Sequence, residues 1–281
     1  MITGLTYTSG EGNSYVIPHG RIRKIDGLSN SPYRESISKL AGVRGSQYNR
    51  SLMDARPINI EWLVMESSMQ NYILERQEAF NAFHPDDGEG VLSIEVNSAT
   101  TYEINCIPNS SPKIPERAGM YPTADAQVQL IANDPVIYSN QDIVSSNVTA
   151  PSGGGFTFPA TFPITFESTS SGTITLQNLG NIDTYPVITL VDALTNPLIR
   201  NATTGEVIQL NYTSSVGDVI EIDMKNRSII LNGVTSLLSD LVEGGEFWTL
   251  EPGSNQIILA TGSTSDTGYM TVTYRHAWNA V

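Results

Sequence analysis

The chain has 281 residues, of which 40% are hydrophobic and only 16% charged; this suits about two globular domains and excludes a disordered chain. Fifteen basic side chains against 29 acidic ones leave a net charge of −14, which argues against a nucleic-acid binder, since that function needs a basic face. A single cysteine rules out an internal disulfide, no apolar run approaches a membrane span, and Met1-Ile2-Thr3-Gly4 starts no charged-then-apolar leader, so the expectation is a chain folded in a reducing cytoplasm.

Residues 5–28 alternate loosely between Gly10, Gly12, Pro18, Gly20 and Gly27, which predicts two or three short strands with turns. Residues 29–56 are less regular and poor in apolar side chains. They read as an extended arm with a short helix near Arg34–Leu40. The charge balance reverses over residues 20–56, where Arg21, Arg23, Lys24, Arg34, Lys39, Arg44, Arg50 and Arg56 stand against Asp26, Glu35 and Asp54. A long irregular segment is unusual inside a compact domain. The basic stretch is either an ordinary solvated surface or an arm that docks on an acidic neighbour such as the next copy of the chain, and the irregular segment makes better sense if another subunit covers it.

Ile58-Asn59-Ile60-Glu61-Trp62-Leu63-Val64 predicts a strand. Ser67 and Ser68 offer N-caps for a helix, with Gln70 three residues after Ser67 as in a capping box. The helix carries Met69, Tyr72, Ile73, Ala79, Phe80 and Phe83 on one stripe and ends at His84-Pro85. Asp86-Asp87-Gly88 is a turn. Val91–Val96 and Thr101–Ile107 form a strand pair that places Cys106 as a small buried hydrophobe. Gln127–Ala132 is a further strand, and Asn133-Asp134-Pro135 closes the first domain.

Pro151-Ser152-Gly153-Gly154-Gly155 is a flexible joint by composition. Phe156-Thr157-Phe158-Pro159 to Ile164-Thr165-Phe166 reads as a proline-studded strand start. Strands then follow at sandwich spacing: Thr173–Leu176, Tyr185–Val191, Pro197–Asn201, Glu206–Leu210, Val219–Asp223, Ser228–Leu231, Phe247–Leu250, Asn255–Thr261 and Tyr269–Arg275. Lys225-Asn226-Arg227 is a tight hairpin connection, and Pro252-Gly253 suits a type II turn. The chain thus divides into residues 1–138 and an all-β sandwich over residues 139–281.

Groups able to do chemistry are scattered. His19, His84 and His276 lie far apart with no ligand partner at metal spacing, and they read as turn or surface residues. Asp218, Glu221 and Asp223 share one strand region and read as an acidic solvent face rather than a hydrolytic pair. Gly153-Gly154-Gly155 is not followed by a helix, so it is no phosphate loop. Trp248 and Trp278 with Tyr185, Tyr212, Tyr269 and Tyr274 could line a sugar-stacking groove; the competing reading is a core ring and braced strands. No catalytic, cofactor-binding or metal-binding residue is assigned, and the expectation is that the chain is not an enzyme.

Several ordered fragments carry a resemblance. They are Gly42-Val43-Arg44-Gly45-Ser46-Gln47-Tyr48, then Arg56-Pro57-Ile58-Asn59-Ile60, then Asn133-Asp134-Pro135-Val136-Ile137-Tyr138. Gly155-Phe156-Thr157-Phe158-Pro159 and Phe162-Pro163-Ile164-Thr165-Phe166 follow, then Gly180-Asn181 and Tyr185-Pro186. The last third adds Thr203-Thr204-Gly205-Glu206, Asn211-Tyr212-Thr213, Gly217-Asp218, Asn226-Arg227, Asn232-Gly233, Phe247-Trp248 and Glu251-Pro252-Gly253-Ser254. In this order they resemble the distal tail protein family of long-tailed bacteriophages, the siphovirus-type tail component of the baseplate hub.

That resemblance implies a mainly β protein. Its N-terminal domain would be a tail-tube-like β-sandwich or barrel with one helix, and its C-terminal domain a galectin-like β-sandwich. It implies a virion protein of the tail tip, assembled in the bacterial host cytoplasm as a homo-oligomeric ring, a hexamer. The ring would join the tail tube protein above to the tail-tip or tail-associated protein below and let DNA pass. The tape-measure protein and a host receptor-binding protein are further candidate partners; specific nucleic-acid binding, membranes and cofactors are not expected. The alternative is a carbohydrate-binding host-recognition protein acting through the C-terminal sandwich. The chain lacks the long insertion that some family members carry as a carbohydrate-binding module, which speaks against that alternative. Arg44, Tyr48, Arg50 and Arg56 are the expected subunit-interface residues, because planar Arg forks and Tyr rings suit such contacts.

Overall fold

The computed structural model describes residues 2–39, 41–42, 44–97, 100–115, 122–150 and 172–281. The glycine-rich joint at 151–155 and the proline-studded segment at 156–166 lie outside the described residues. The protein is mainly β and separates into two units, Met1–Asn140 with Trp278–Val281, and Gln141–Ala277. The chain therefore passes between the units twice, and its last four residues belong to the first.

In the first unit come β1 (Ile2–Thr8), β2 (Ser14–Pro18), β3 (Ile22–Asp26), β4 (Tyr33–Ser38), β5 (Gln47–Met53) and β6 (Arg56–Met65). After helix α1 (Met69–Ala82) follow β7 (Gly90–Val96), β8 (Thr100–Pro108), β9 (Thr123–Ala132) and β10 (Ile137–Ser139). An antiparallel sheet runs in the order β2-β1-β7-β8-β9-β6-β3, with β10 beside β8. Period-two alternation decides its faces. In β6 the even positions Ile58, Ile60, Trp62 and Val64 are buried, while Pro57 and Met65 are exposed.

Ser68 caps α1 by accepting from the Asn71 backbone N–H at 3.2 Å. The cap is thus Ser68 rather than Ser67, and Gln70 takes no part in a capping box. Tyr72, Ala79 and Ala82 are buried on the sheet, as is Phe83 just beyond the helix. Ile73, expected on the same stripe, is 48% exposed, because it sits one residue round from Tyr72 and faces away. Phe83 stacks on Tyr7 at 4.7 Å. Trp62 Nε1 donates to the Tyr15 hydroxyl at 3.1 Å, which donates to Glu75 at 2.8 Å; Arg21 pairs with Glu75 and Glu66 at 3.3 and 2.9 Å. This chain of partners bolts the helix to β2 and β6.

Cys106 is fully buried on β8, and burial pushes its thiol up to about 12. A thiol reagent should label the native protein only as fast as it unfolds. Prompt stoichiometric labelling under native conditions would contradict this placement.

The second unit packs two sheets face to face. One holds β11 (Ile143–Val144), β12 (Val148–Thr149), β14 (Val187–Val191), β17 (Val219–Asp223), β18 (Ser228–Leu231), β19 (Thr235–Ser236) and β21 (Tyr269–Tyr274). The other runs in the order β13 (Gly172–Asn178), β20 (Gly253–Ala260), β15 (Leu198–Asn201), β16 (Val207–Gln209). Ile188, Leu190, Ile220, Ile222, Met270 and Val272 of the first sheet share a core with Leu176, Ile199, Ile208, Ile257 and Leu259 of the second. The strand expected at Phe247–Leu250 does not form. Trp248 and Leu250 plug into the core there, and one isolated bridge, Leu250 to Thr184, replaces a ladder.

Candidate assembly surface

Gly27 begins the excursion between β3 and β6. Its φ is +99°, and a Cβ there would meet the Pro57 carbonyl oxygen at 2.1 Å, so only glycine lets the chain turn out so close to β6. Among the described residues, the segment that follows holds no helix. Residues 34–38, expected to be helical, lie in strand β4, which pairs antiparallel with β5 from Tyr33↔Met53 to Ser38↔Gln47. Cross-strand pairing outcompeted the weak helical signal, aided by the extended-chain preference of Tyr33 and Ile37. Gly42 and Gly45 sit at the tip, both with positive φ.

The register shifts between Ser36 and Ile37, so that Ser36 faces Arg50 and Ile37 faces Tyr48. Directly paired residues share a face. Tyr33, Glu35, Ile37, Tyr48, Ser51 and Met53 therefore line one face, and Arg34, Ser36, Ser38, Gln47, Arg50 and Leu52 the other. Asn49 is the extra residue of the bulge, and its side-chain amide donates to Ser38 Oγ at 2.7 Å on the second face. Without that bulge Tyr48 would point with Arg50. The bulge thus separates an aromatic-aliphatic face from a basic one.

Among the described residues neither face is covered. Every described residue from Tyr33 to Arg50 is exposed, including Tyr33 at 52%, Ile37 at 52% and Tyr48 at 60%. Four basic side chains, Arg34, Lys39, Arg44 and Arg50, stand here against one acid, Glu35, on a chain of net charge −14. A two-stranded ribbon with no third element against it is marginally stable in water. Its composition and exposure suit a surface that is buried on assembly.

Arg56 belongs to the base of this ribbon and not to its surface. It is fully buried, so the expectation of a subunit contact is corrected for this residue. Its five guanidinium N–H groups are spent within the first unit. Nε donates to the Pro135 carbonyl at 2.9 Å, Nη1 to the carbonyls of Gly27 and Leu28 at 2.9 and 3.1 Å, and Nη2 to Ser31 Oγ and the Asn279 carbonyl, both at 2.6 Å. Ser31 Oγ also donates to the Asn279 carbonyl. Burial pulls the guanidinium below its ordinary pKa, with the Tyr33 phenol acting the other way. One side chain thus ties the root of the hairpin, the end of the sheet and the returning C-terminus. A sequence signal for this existed: Arg56 has the same parity as Ile58, Ile60, Trp62 and Val64, all inward-facing.

Of the four expected interface residues, Arg44, Tyr48 and Arg50 are gathered on the hairpin and Arg56 lies beneath it. Sequence reasoning missed Tyr33, Ile37 and Leu52, which are exposed beside them.

The other candidate constellations dissolve. The aromatic groove does not form: Trp248 is in the core of the second unit, while Trp278 belongs to the first unit and packs edge-on against Tyr102 at 4.9 Å. Asp218 accepts from the Ser215 backbone N–H at 2.8 Å and from Asn232 at 2.9 Å; these bonds hold its carboxyl below the usual carboxylate range. Asp223 accepts from the N–H groups of Lys225 and Asn226. Both are turn-formers, and Glu221 between them is exposed. Among the described residues no group of three or more His, Cys, Asp and Glu side chains is placed to hold a metal ion.

Residues 179–278 match the family model of the siphovirus-type tail component, C-terminal domain. No curated protein matches the chain in sequence. Among solved structures, the chain is similar to the Dit protein of phage SPP1, described as a paradigm of the hub adsorption apparatus in phages infecting Gram-positive bacteria. The TM-score is 0.67 at 12% identity, covering 97% of this chain and 98% of that one. It is also similar to a chain of the phage P2 baseplate in its activated, calcium-containing conformation, with a TM-score of 0.52 at 10% identity and full coverage of both chains.

Proposed function

We propose that this chain, which carries the C-terminal domain of a siphovirus-type tail component, is a subunit of a ring at the tip of a long, non-contractile phage tail. The observation that carries the reading is the hairpin of β4 and β5, a basic and aromatic ribbon exposed on both faces. Copies arranged around an axis give each ribbon a neighbour to lie on. That neighbour carries the acidic excess of the remainder of the chain, which attracts the ribbon and sets its register. Closed rotational symmetry then satisfies every ribbon at once, whereas an open arrangement leaves one bare. Six copies is the number the family resemblance implies.

Such a ring joins the tail tube protein on one side to the tip or tail-associated protein on the other. DNA crosses its opening without being held, in keeping with the negative charge of the chain. The role is structural rather than enzymatic, and assembly takes place in the bacterial cytoplasm. The likeness to the SPP1 Dit and P2 baseplate chains over nearly the whole length supports the placement.

Immunogold electron microscopy of tails with an antibody to this chain tests it. Label confined to the tail end away from the head is expected. Label along the shaft, or particles that carry none, would overturn the reading.

A further inference from the structure

The ribbon of β4 and β5 leaves the sheet of the first unit between β3 and β6, at one end of the strand order. The other end is made of β2, β1, β7 and β8. These four strands contain no Lys, Arg or His, and their charged side chains are Glu95 on β7 and Glu103 on β8. Leu92, Ile94 and Ile104 point into the core, so Ser93, Glu95 and Glu103 face outward, beside Gly4 and Thr6 of β1. A Cβ on Gly4 would come within 2.9 Å of Glu95 Oε2, so the carboxylate lies over bare backbone. The face is thus flat, small-featured and of one sign.

The basic face of the ribbon repeats this pattern with the opposite sign. Ser93 pairs with Glu103 and Glu95 with Thr101, so the two carboxylates stand diagonally on neighbouring strands. Arg34 pairs with Leu52 and Ser36 with Arg50, so the two guanidiniums stand on the same kind of diagonal. Diagonal neighbours in an antiparallel pair are about 7–8 Å apart, so one pair of charges can sit over the other. The lengths agree as well. Arg44 at the tip lies six positions from Arg50, and Glu89 lies six from Glu95, each a reach of up to about 20 Å in extended chain. Asn13 donates to Asp87 at 3.4 Å, which brings the turn carrying Glu11 to the same end as Glu89.

Donor and acceptor therefore lie at opposite ends of one sheet. That is the layout of a head-to-tail contact, in which each ribbon reaches the far end of the next copy, and such contacts close into rings. We propose that the outward face of β1, β7 and β8, centred on Glu95 and Glu103, is the seat for the basic face of a second copy's ribbon. The inference rests on the ring reading and adds to it the surface on which the ribbon lies. The aromatic-aliphatic face turns away from the carboxylates and keeps the apolar contact of the assembly.

Charge reversal in trans tests it. One full-length variant, Glu95→Lys/Glu103→Lys, carries a reversed seat; another, Arg34→Glu/Arg50→Glu, carries a reversed ribbon. Each alone sets like charge on like and should enter tails at least about tenfold less than the parent chain at equal expression. Produced together they should recover near-parental incorporation, because each reversed seat then meets a reversed ribbon and each unaltered seat an unaltered one. An unchanged Tm checks the fold of each variant, and Glu95→Lys with Arg50→Glu replaces the pair if Glu103→Lys does not fold. Parental incorporation of either variant alone, or no recovery in the mixture, would overturn the proposal and leave the ring reading standing. A parent chain absent from the tail tip by immunogold labelling would instead remove the ring reading, and this inference with it.

Discussion

Arg56→Ala is expected to lower the stability of the first unit by about 3 kcal/mol or more, far beyond the effect of any arginine on the hairpin. The change removes the guanidinium donors from the carbonyls of Gly27, Leu28, Pro135 and Asn279 and from Ser31 Oγ, leaving Leu28 with the Val281 N–H and Asn279 with the Ser31 hydroxyl. Each buried acceptor left without a donor costs about 1–3 kcal/mol, and entry of water into the vacated space makes the sum less than additive. Arg56→Lys should recover only part of the loss, because one ammonium cannot reach acceptors that a planar fork spans. Denaturant unfolding followed with amide exchange at residues 28–31 and 279–281 is the measurement. Those amides should exchange much faster in the variant while β7 and β8 stay protected. A loss below about 1 kcal/mol, or no change in exchange at the C-terminus, would contradict the clamp.

Ile37→Asp/Tyr48→Asp is expected to abolish assembly and leave the isolated chain as stable as before. Both side chains are more than half exposed and paired on the aromatic-aliphatic face, so the free chain loses little when they change. An interface that buries them loses two apolar anchors and must desolvate two carboxylates, at about 2 kcal/mol or more for each position. Arg44→Ala/Arg50→Ala should act more mildly. It weakens assembly chiefly at low salt, because exposed charge pairs contribute little once screened. Sedimentation of the variants beside the parent chain, with Tm recorded for each, separates the cases. Unimpaired assembly of the double-aspartate variant would remove the hairpin from the interface.

The fold was legible where one physical rule dominates. Alternation at the start of Ile58–Val64 marks β6, and Val219–Asp223 marks β17 to the residue. The order of turn and strand fragments in the last third marked the tail-component family, which the family match at 179–278 bears out. It failed where non-local pairing decides. Residues 34–38 carry no strong pattern of their own, and only Gln47–Met53 lying opposite them makes a strand. Phe247–Leu250 has strand-like composition, yet its large side chains are used as plugs. Arg56 reads from the sequence as an interface arginine, because a planar Arg fork suits such contacts, although its parity with Ile58 and Ile60 points inward. Its partners come from positions 27, 28, 31, 135 and 279, and no local window contains them.

The central claim is that the ribbon of β4 and β5 is completed by another copy of the same chain. A photo-crosslinking amino acid at position 48, placed in assembled tails and followed by mass analysis of the products, tests it most directly. The account predicts covalent pairs in which position 48 of one copy is joined to a peptide of a second copy, closing into a ladder of discrete multiples. Crosslinks confined to the chain's own residues, or captured only by unrelated tail proteins, would contradict it.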